Sequence, residues 1–182
     1  MNGVGTTWFE YELINVRRQL TLSGLPPVEI ADRLRLKEWA MHRLLIERQP
    51  RAALLAERPE AAKMIDYPAS DDYMRQVAAQ NLPGLWSRLD LPVLVIYGSA
   101  DFVTSENDNR AIVDAVNRAH PGRAEFALID QMDHWLNQAA TAADSWRLRH
   151  LPPPAAVKPI YQAHLDKVVG TWLSAVADGR HG

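Results

Sequence analysis

The sequence has no cysteine among its 182 residues. A disulfide framework and a thiolate zinc site are therefore excluded, and so is a thiol nucleophile within the chain. Also missing is a charge excess: 20 Lys and Arg stand against 22 Asp and Glu, a formal net charge of -2, with both signs interspersed. Without a basic stripe there is no electrostatic footprint for nucleic acid. No apolar run approaches the roughly 18 residues that a membrane span needs, and Met1-Asn2-Gly3-Val4-Gly5 has neither the basic nor the apolar region of a signal peptide. The expectation is a cytoplasmic protein that engages neither membrane nor nucleic acid.

What is present is the balance of a globular domain, with 47% hydrophobic and 23% charged residues. Apolar Phe9, Leu13, Val16 and Leu20 recur at helical spacing from Trp8 to Leu22, and Ser23-Gly24 before Pro26-Pro27 supplies a stop. A second helix is expected from Pro27 to Arg48, with Ile30, Leu34, Met41, Leu44 and Leu45 on one side and Asp32, Arg33, Lys37 and Glu47 mostly on the other. Shorter helical pieces follow at Ala52 to Glu57, Pro59 to Ile65, Asp71 to Gln80 and Pro83 to Leu89, set apart by Pro59, Pro68 and Pro83.

The pattern changes at Leu91-Pro92. Val93 to Tyr97 is a continuous apolar, largely β-branched run, the signature of a strand buried on both faces of a parallel sheet. Gly98 to Asp101 forms a turn; Thr104 or Ser105 caps the next helix, Ser105 with Asp108 in the capping-box position, and Ile112, Val113 and Val116 form its inner face. A second strand runs from Ala124 to Ile129 and leads to His134, so residues 92–129 read as one β-α-β unit. Beyond it, Asn137 to Ala156 reads as irregular and ends in a stiff Leu151-Pro152-Pro153-Pro154 connector. A last helix from Pro159 to Ala177 is expected to cover one face of the sheet. The chain thus divides into helices over 1–89 and an α/β part over 90–182.

Open α/β sheets hold their reactive groups in loops beyond the carboxyl ends of the strands. Asp101 follows the first strand and His134 the second, so neighbouring parallel strands present an acid and a base at one edge. In such a pair the carboxylate accepts the imidazole Nδ1 proton and stabilises the imidazolium formed when Nε2 takes a proton from a nucleophile.

The run Pro92 to Asp101, followed by a helix, a strand and Met132-Asp133-His134-Trp135, resembles the last third of the α/β-hydrolase fold. The resemblance implies a serine esterase or peptidase-like enzyme with Asp101 as orienter, His134 as general base and then acid, and the helices before Leu91 as a cap over the substrate. Trp8-Phe9-Glu10-Tyr11 and the Arg17-Arg18-Gln19-Leu20 helix are similar to the caps of bacterial members. The substrate is a small ester or a peptide, and no cofactor is implied.

The family's Gly-x-Ser-x-Gly elbow is absent; Gly98-Ser99-Ala100 lacks the second glycine and occupies the acid's loop. The nucleophile and oxyanion donors are then expected outside the chain, which by itself should be inactive. Relatives with an aspartate nucleophile, the dehalogenase-like and epoxide-hydrolase-like members, fit the same acid and histidine. A noncatalytic truncated chain or helical interaction subunit is the rival reading. Two parallel strands leave an open edge for the missing half or for self-association.

Among other residues, Trp135 either walls an acyl pocket or packs, and Trp39, Met41 and Tyr73 either line a substrate tunnel or pack helix on helix. Asp133 and Glu106, the other carboxylates near the site, read as surface residues. The remaining histidines have no metal-ligand spacing, and no metal site is expected.

Overall fold

A computed structural model describes residues 4–150 and 162–179. It is mixed α/β, predominantly helical, with one two-stranded parallel sheet. The described residues form two compact units: Thr7–Asn81, and Leu82 onward together with residues 4–6.

In the helical unit, α1 (Trp8–Leu22) starts at a capping box: the Glu10 amide donates to the Thr7 hydroxyl while the Thr7 amide donates to the Glu10 carboxylate. Helix α2 (Pro27–Met41) begins on Pro27, whose fixed φ suits a first helical turn. It does not continue as an α-helix to Arg48. The backbone widens into a π-helical turn over His42–Ile46, in which the Glu47 amide reaches the His42 carbonyl at 2.9 Å, and Arg48 takes φ 58. The change keeps Leu44 and Leu45 on the inner side, where they join Met41, Leu54, Ile65 and Met74 in the unit's core. Helix α3 (Arg51–Glu57), a 3₁₀ turn (Pro59–Met64) and α4 (Asp71–Ala78) complete the unit, and an Arg51–Asp71 ion pair ties α3 to α4.

One assignment from helical spacing is overturned here. Lys37 is buried, not on the solvent side of α2. Its ammonium donates to Glu12 Oε1 at 2.7 Å and to the Met64 carbonyl, and lies 4.8 Å from the centre of the Tyr67 ring. Partners from three other segments replace the water that the charge gives up.

In the second unit, α5 (Leu82–Trp86) is anchored by the Trp86 indole, which donates to the Val4 carbonyl at 2.8 Å. Strand β1 (Val93–Gly98) pairs in parallel with β2 (Ala124–Ile129), from Val93 opposite Ala124 to Gly98 opposite Ile129. Helix α6 (Glu106–Ala119) connects them, starting at the Ser105–Asp108 capping box and burying Ile112 and Val116. Asn117 of α6 closes the start of β2, its side-chain amide exchanging two 2.8 Å hydrogen bonds with the backbone of Ala124.

Backbone parity identifies the free edge of the sheet. Val93 N–H donates to Arg123 O and Ser99 N–H to Ile129 O, so the odd-numbered residues of β1 face β2. The N–H and C=O groups of Leu94 and Ile96 face the opposite way, where no described residue pairs with them.

The segment after His134 is not irregular throughout: α7 spans Ala142–His150. It starts where the Asp144 amide donates to the Thr141 hydroxyl, which itself donates to the Asp144 carboxylate, a cap that substitutes for the weak apolar periodicity of its sequence. The proline connector from Leu151 and the start of the last helix lie outside the described residues. Helix α8 (Gln162–Ala177) runs beside the sheet and leaves between them a cavity of about 470 Å³, lined by Phe126, Val168 and Trp172 among others.

Candidate active site

Two loops meet at the carboxyl end of the sheet, and Gly98 is what lets them. A Cβ at this position would run into the Met132 carbonyl, so only glycine admits the second loop so close to the end of β1. The approach is fixed by the Ala100 amide donating to Met132 O at 3.0 Å and by the Gln131 amide donating to Ser99 Oγ at 2.7 Å. Ser99 Oγ in turn donates to Asp130 at 2.8 Å. Gln131 itself takes φ 55, the left-handed turn that swings the chain back over β1.

The geometry brings Asp101 and His134 together. His134 Nδ1 lies 2.9 Å from Asp101 Oδ2. Asp101 is only 7% exposed and accepts three further hydrogen bonds, from the amides of Val103 (2.6 Å) and Thr104 (2.9 Å) and from the Thr104 hydroxyl (2.7 Å). Asn109 donates to that hydroxyl at 3.1 Å and so directs its proton toward the carboxylate. Burial acts against the charge and is the largest single influence on it. The hydrogen bond and charge of His134, with the bonds from Thr104, outweigh burial and hold the Asp101 pKa below the ordinary carboxylate value.

Thr104 and Asn109 carry this arrangement without having been singled out for it in the sequence. Thr104 stands in a capping position where Ser105 makes the actual cap, and that redundancy was the available signal. Beside the pair is a cleft of about 140 Å³ lined by Asp101, Thr104, His134, Leu136, Ile96 and Trp86 among others.

Trp135 is 43% exposed. Its ring stands edge-on to His134, with centres 5.2 Å apart, and also packs on Phe102. The Arg149 guanidinium lies over it at 4.1 Å. Trp39, Met41 and Tyr73 belong to the helical unit, where Trp39 packs against the core that contains Met41. Met41 is fully buried in that unit's core and has no surface to offer a substrate, Tyr73 is exposed, and Trp39 lies against the guanidinium groups of Arg43 and Arg58.

Glu106 pairs with Arg110 on the surface of α6. Asp133 is different. Far from being a surface residue, it is 4% exposed and accepts four hydrogen bonds. A carboxylate receiving the amides of residues two and four positions ahead is a turn-forming Asx arrangement, visible afterwards in the Asp133-x-Trp135-x-Asn137 spacing.

Each described serine makes a hydrogen bond to a group other than His134. Ser23, Ser87 and Ser174 donate to nearby backbone carbonyls, Ser70 and Ser105 cap helices, Ser99 donates to Asp130 and Ser145 to Asp133. Among the described residues there is no cluster of His, Asp or Glu suited to a metal ion, and no helix is long and apolar enough to cross a membrane.

Comparison with known proteins finds no matching family model and no significantly similar curated protein or solved structure.

Proposed function

We propose that Asp101 and His134 are the acid and the histidine of an α/β-hydrolase-type catalytic triad acting on carboxylic ester or peptide bonds. One observation carries this reading: the 2.9 Å contact between His134 Nδ1 and a buried, fourfold hydrogen-bonded carboxylate, made between loops at the carboxyl ends of adjacent parallel strands. The order acid then histidine along the chain is that of the family.

In this mechanism Asp101 holds the imidazole in the tautomer that carries its proton on Nδ1. Nε2 takes the proton of the nucleophile as it attacks the scissile carbonyl, and Asp101 stabilises the resulting imidazolium. Nε2 then delivers that proton to the leaving alcohol or amine. Trp135 walls the acyl side of the site, and the helical unit takes the place of a cap in chain order.

On this reading the nucleophile comes from polypeptide outside the described residues, because the sequence holds no Gly-x-Ser-x-Gly elbow. The unpaired edge of β1 supports strand pairing as the means of completing the site: Leu94 and Ile96 offer main-chain donors and acceptors to a further strand. That strand belongs either to the rest of the fold or, in the noncatalytic reading, to a second copy.

The test treats the chain with a fluorophosphonate probe and a short nitrophenyl ester, alone and together with a polypeptide supplying a Gly-x-Ser-x-Gly elbow. No reaction alone and activity on mixing is the expected result. Labelling of a serine in this chain would show that the nucleophile is internal. Activity without fluorophosphonate labelling when the added polypeptide carries aspartate in place of the elbow serine would favour an aspartate nucleophile. In the active assembly, His134→Ala should lower turnover by about 10⁴-fold or more, and undiminished turnover would remove the triad assignment.

A further inference from the structure

The geometry points to Asp133 as a positioning residue that holds His134 in place through α7. The inference rests on the reading of His134 as the general base and adds a second buried carboxylate to the site. Asp133 Oδ1 accepts the amides of Trp135 (2.9 Å) and Asn137 (2.8 Å). Its backbone closes the same loop, its amide donating to Asn137 O at 2.8 Å and its carbonyl accepting from the Leu136 amide at 3.0 Å. His134 lies inside this ring of bonds. The closure requires φ 61 at Leu136, a left-handed conformation that a leucine adopts only where its surroundings impose it.

The other oxygen faces outward from the loop. Oδ2 accepts from the Ser145 hydroxyl at 3.0 Å and from Arg149 Nη2 at 3.4 Å, both on α7. Ser145 is 1% exposed, and Arg149 also covers the face of Trp135 at 4.1 Å. The two oxygens therefore have separate tasks. Oδ1 shapes the loop that carries His134, and Oδ2 bolts that loop to a helix. Asp101 fixes the rotation of the imidazole, and Asp133 fixes the backbone from which it hangs.

Asp133→Asn separates these tasks, because an amide keeps the accepting oxygen for the loop and places a donor where Ser145 and Arg149 need an acceptor. The readout is the His134 Nδ1 ring proton, followed by NMR in the full chain together with the amide protons of β1 and β2. In the wild type this proton should be protected from exchange by Asp101, and Asp101→Asn should abolish its protection. In Asp133→Asn its exchange should accelerate by about tenfold or more, the scale set by two buried hydrogen bonds, with sheet amides unchanged. Ser145→Ala, which removes one of the two bonds, should fall between.

If ring-proton exchange in Asp133→Asn stays at the wild-type rate, the positioning role is overturned and the triad reading stands. A general loss of sheet protection in both Asp133→Asn and Ser145→Ala would also overturn it, assigning Asp133 to global stability. If the wild type shows no protected ring proton, the triad reading itself fails.

Discussion

At the scale of single residues, the site depends on one absent side chain and one buried charge. Gly98→Ala places a methyl group against the Met132 carbonyl, which is backbone and yields only by moving the histidine loop. We expect a loss of about 1–3 kcal/mol, typical of overpacking, with the His134 ring proton exposed to exchange; urea unfolding and NMR check both. Asp101 makes the pH dependence explicit. Its pKa is lowered by folding, so its contribution to stability is complete above the ordinary carboxylate value and is lost as pH falls through the depressed one. The gap in melting temperature between wild type and Asp101→Asn should therefore be widest near neutrality and close in the acid range below about pH 4. Equal gaps at pH 7 and pH 3 would contradict this. The place of Asp101 after a strand and the turn that Gly98 opens were legible in the sequence; the close approach of Met132 to Gly98 was not, because it depends on a loop 34 residues further along the chain. Nor was Asp133, because a carboxylate beside a histidine offers no sign of whether it faces water or a helix that periodicity does not reveal.

At the scale of elements, apolar spacing and apolar runs located α1, α2, α6 and both strands, but β1 is not buried on both faces as its apolar run suggests: only Val95 and Gly98 are buried, and β2 leaves Leu128 exposed. Apolar spacing failed for α7, whose Ser145-Trp146-Arg147-Leu148-Arg149 stretch has no apolar stripe. That helix is held by a cap and by hydrogen bonds from Ser145 and Arg149 to Asp133, and polar anchoring leaves no period to read. The same logic hid Lys37. Its place on α2 resembles that of a solvated cation, and only the tertiary fold brings Glu12, Met64 and Tyr67 to it. Removing the counter-charge while leaving the cation buried is the informative change. Glu12→Ala should destabilise the helical unit by about 3 kcal/mol, as expected for breaking a buried pair, and Glu12→Ala with Lys37→Met should recover most of it. Chemical unfolding of these two variants and of Lys37→Met alone tests the coupling.

At the scale of the whole molecule, the two strands are unequal. β2 carries Glu125 among its residues, as a strand suited to an edge does, whereas Val93 to Ile96 of β1 has neither charge nor proline to discourage pairing. The isolated chain should associate through β1, and Ile96→Lys should shift sedimentation toward the monomer while leaving the far-ultraviolet circular dichroism unchanged; an unaffected distribution would place association elsewhere.

The Val4–Trp86 hydrogen bond has a consequence for modularity. It joins the residues that precede the helical unit to those that follow it, so the polypeptide leaves the α/β unit and returns to it at nearly the same place. The helices are thus an insertion between two tethered stumps, and replacing Thr7–Asn81 with a short glycine-serine bridge should need little rearrangement of what remains. A variant shortened in this way should keep the Asp101–His134 contact, with the His134 ring proton followed by NMR as the check.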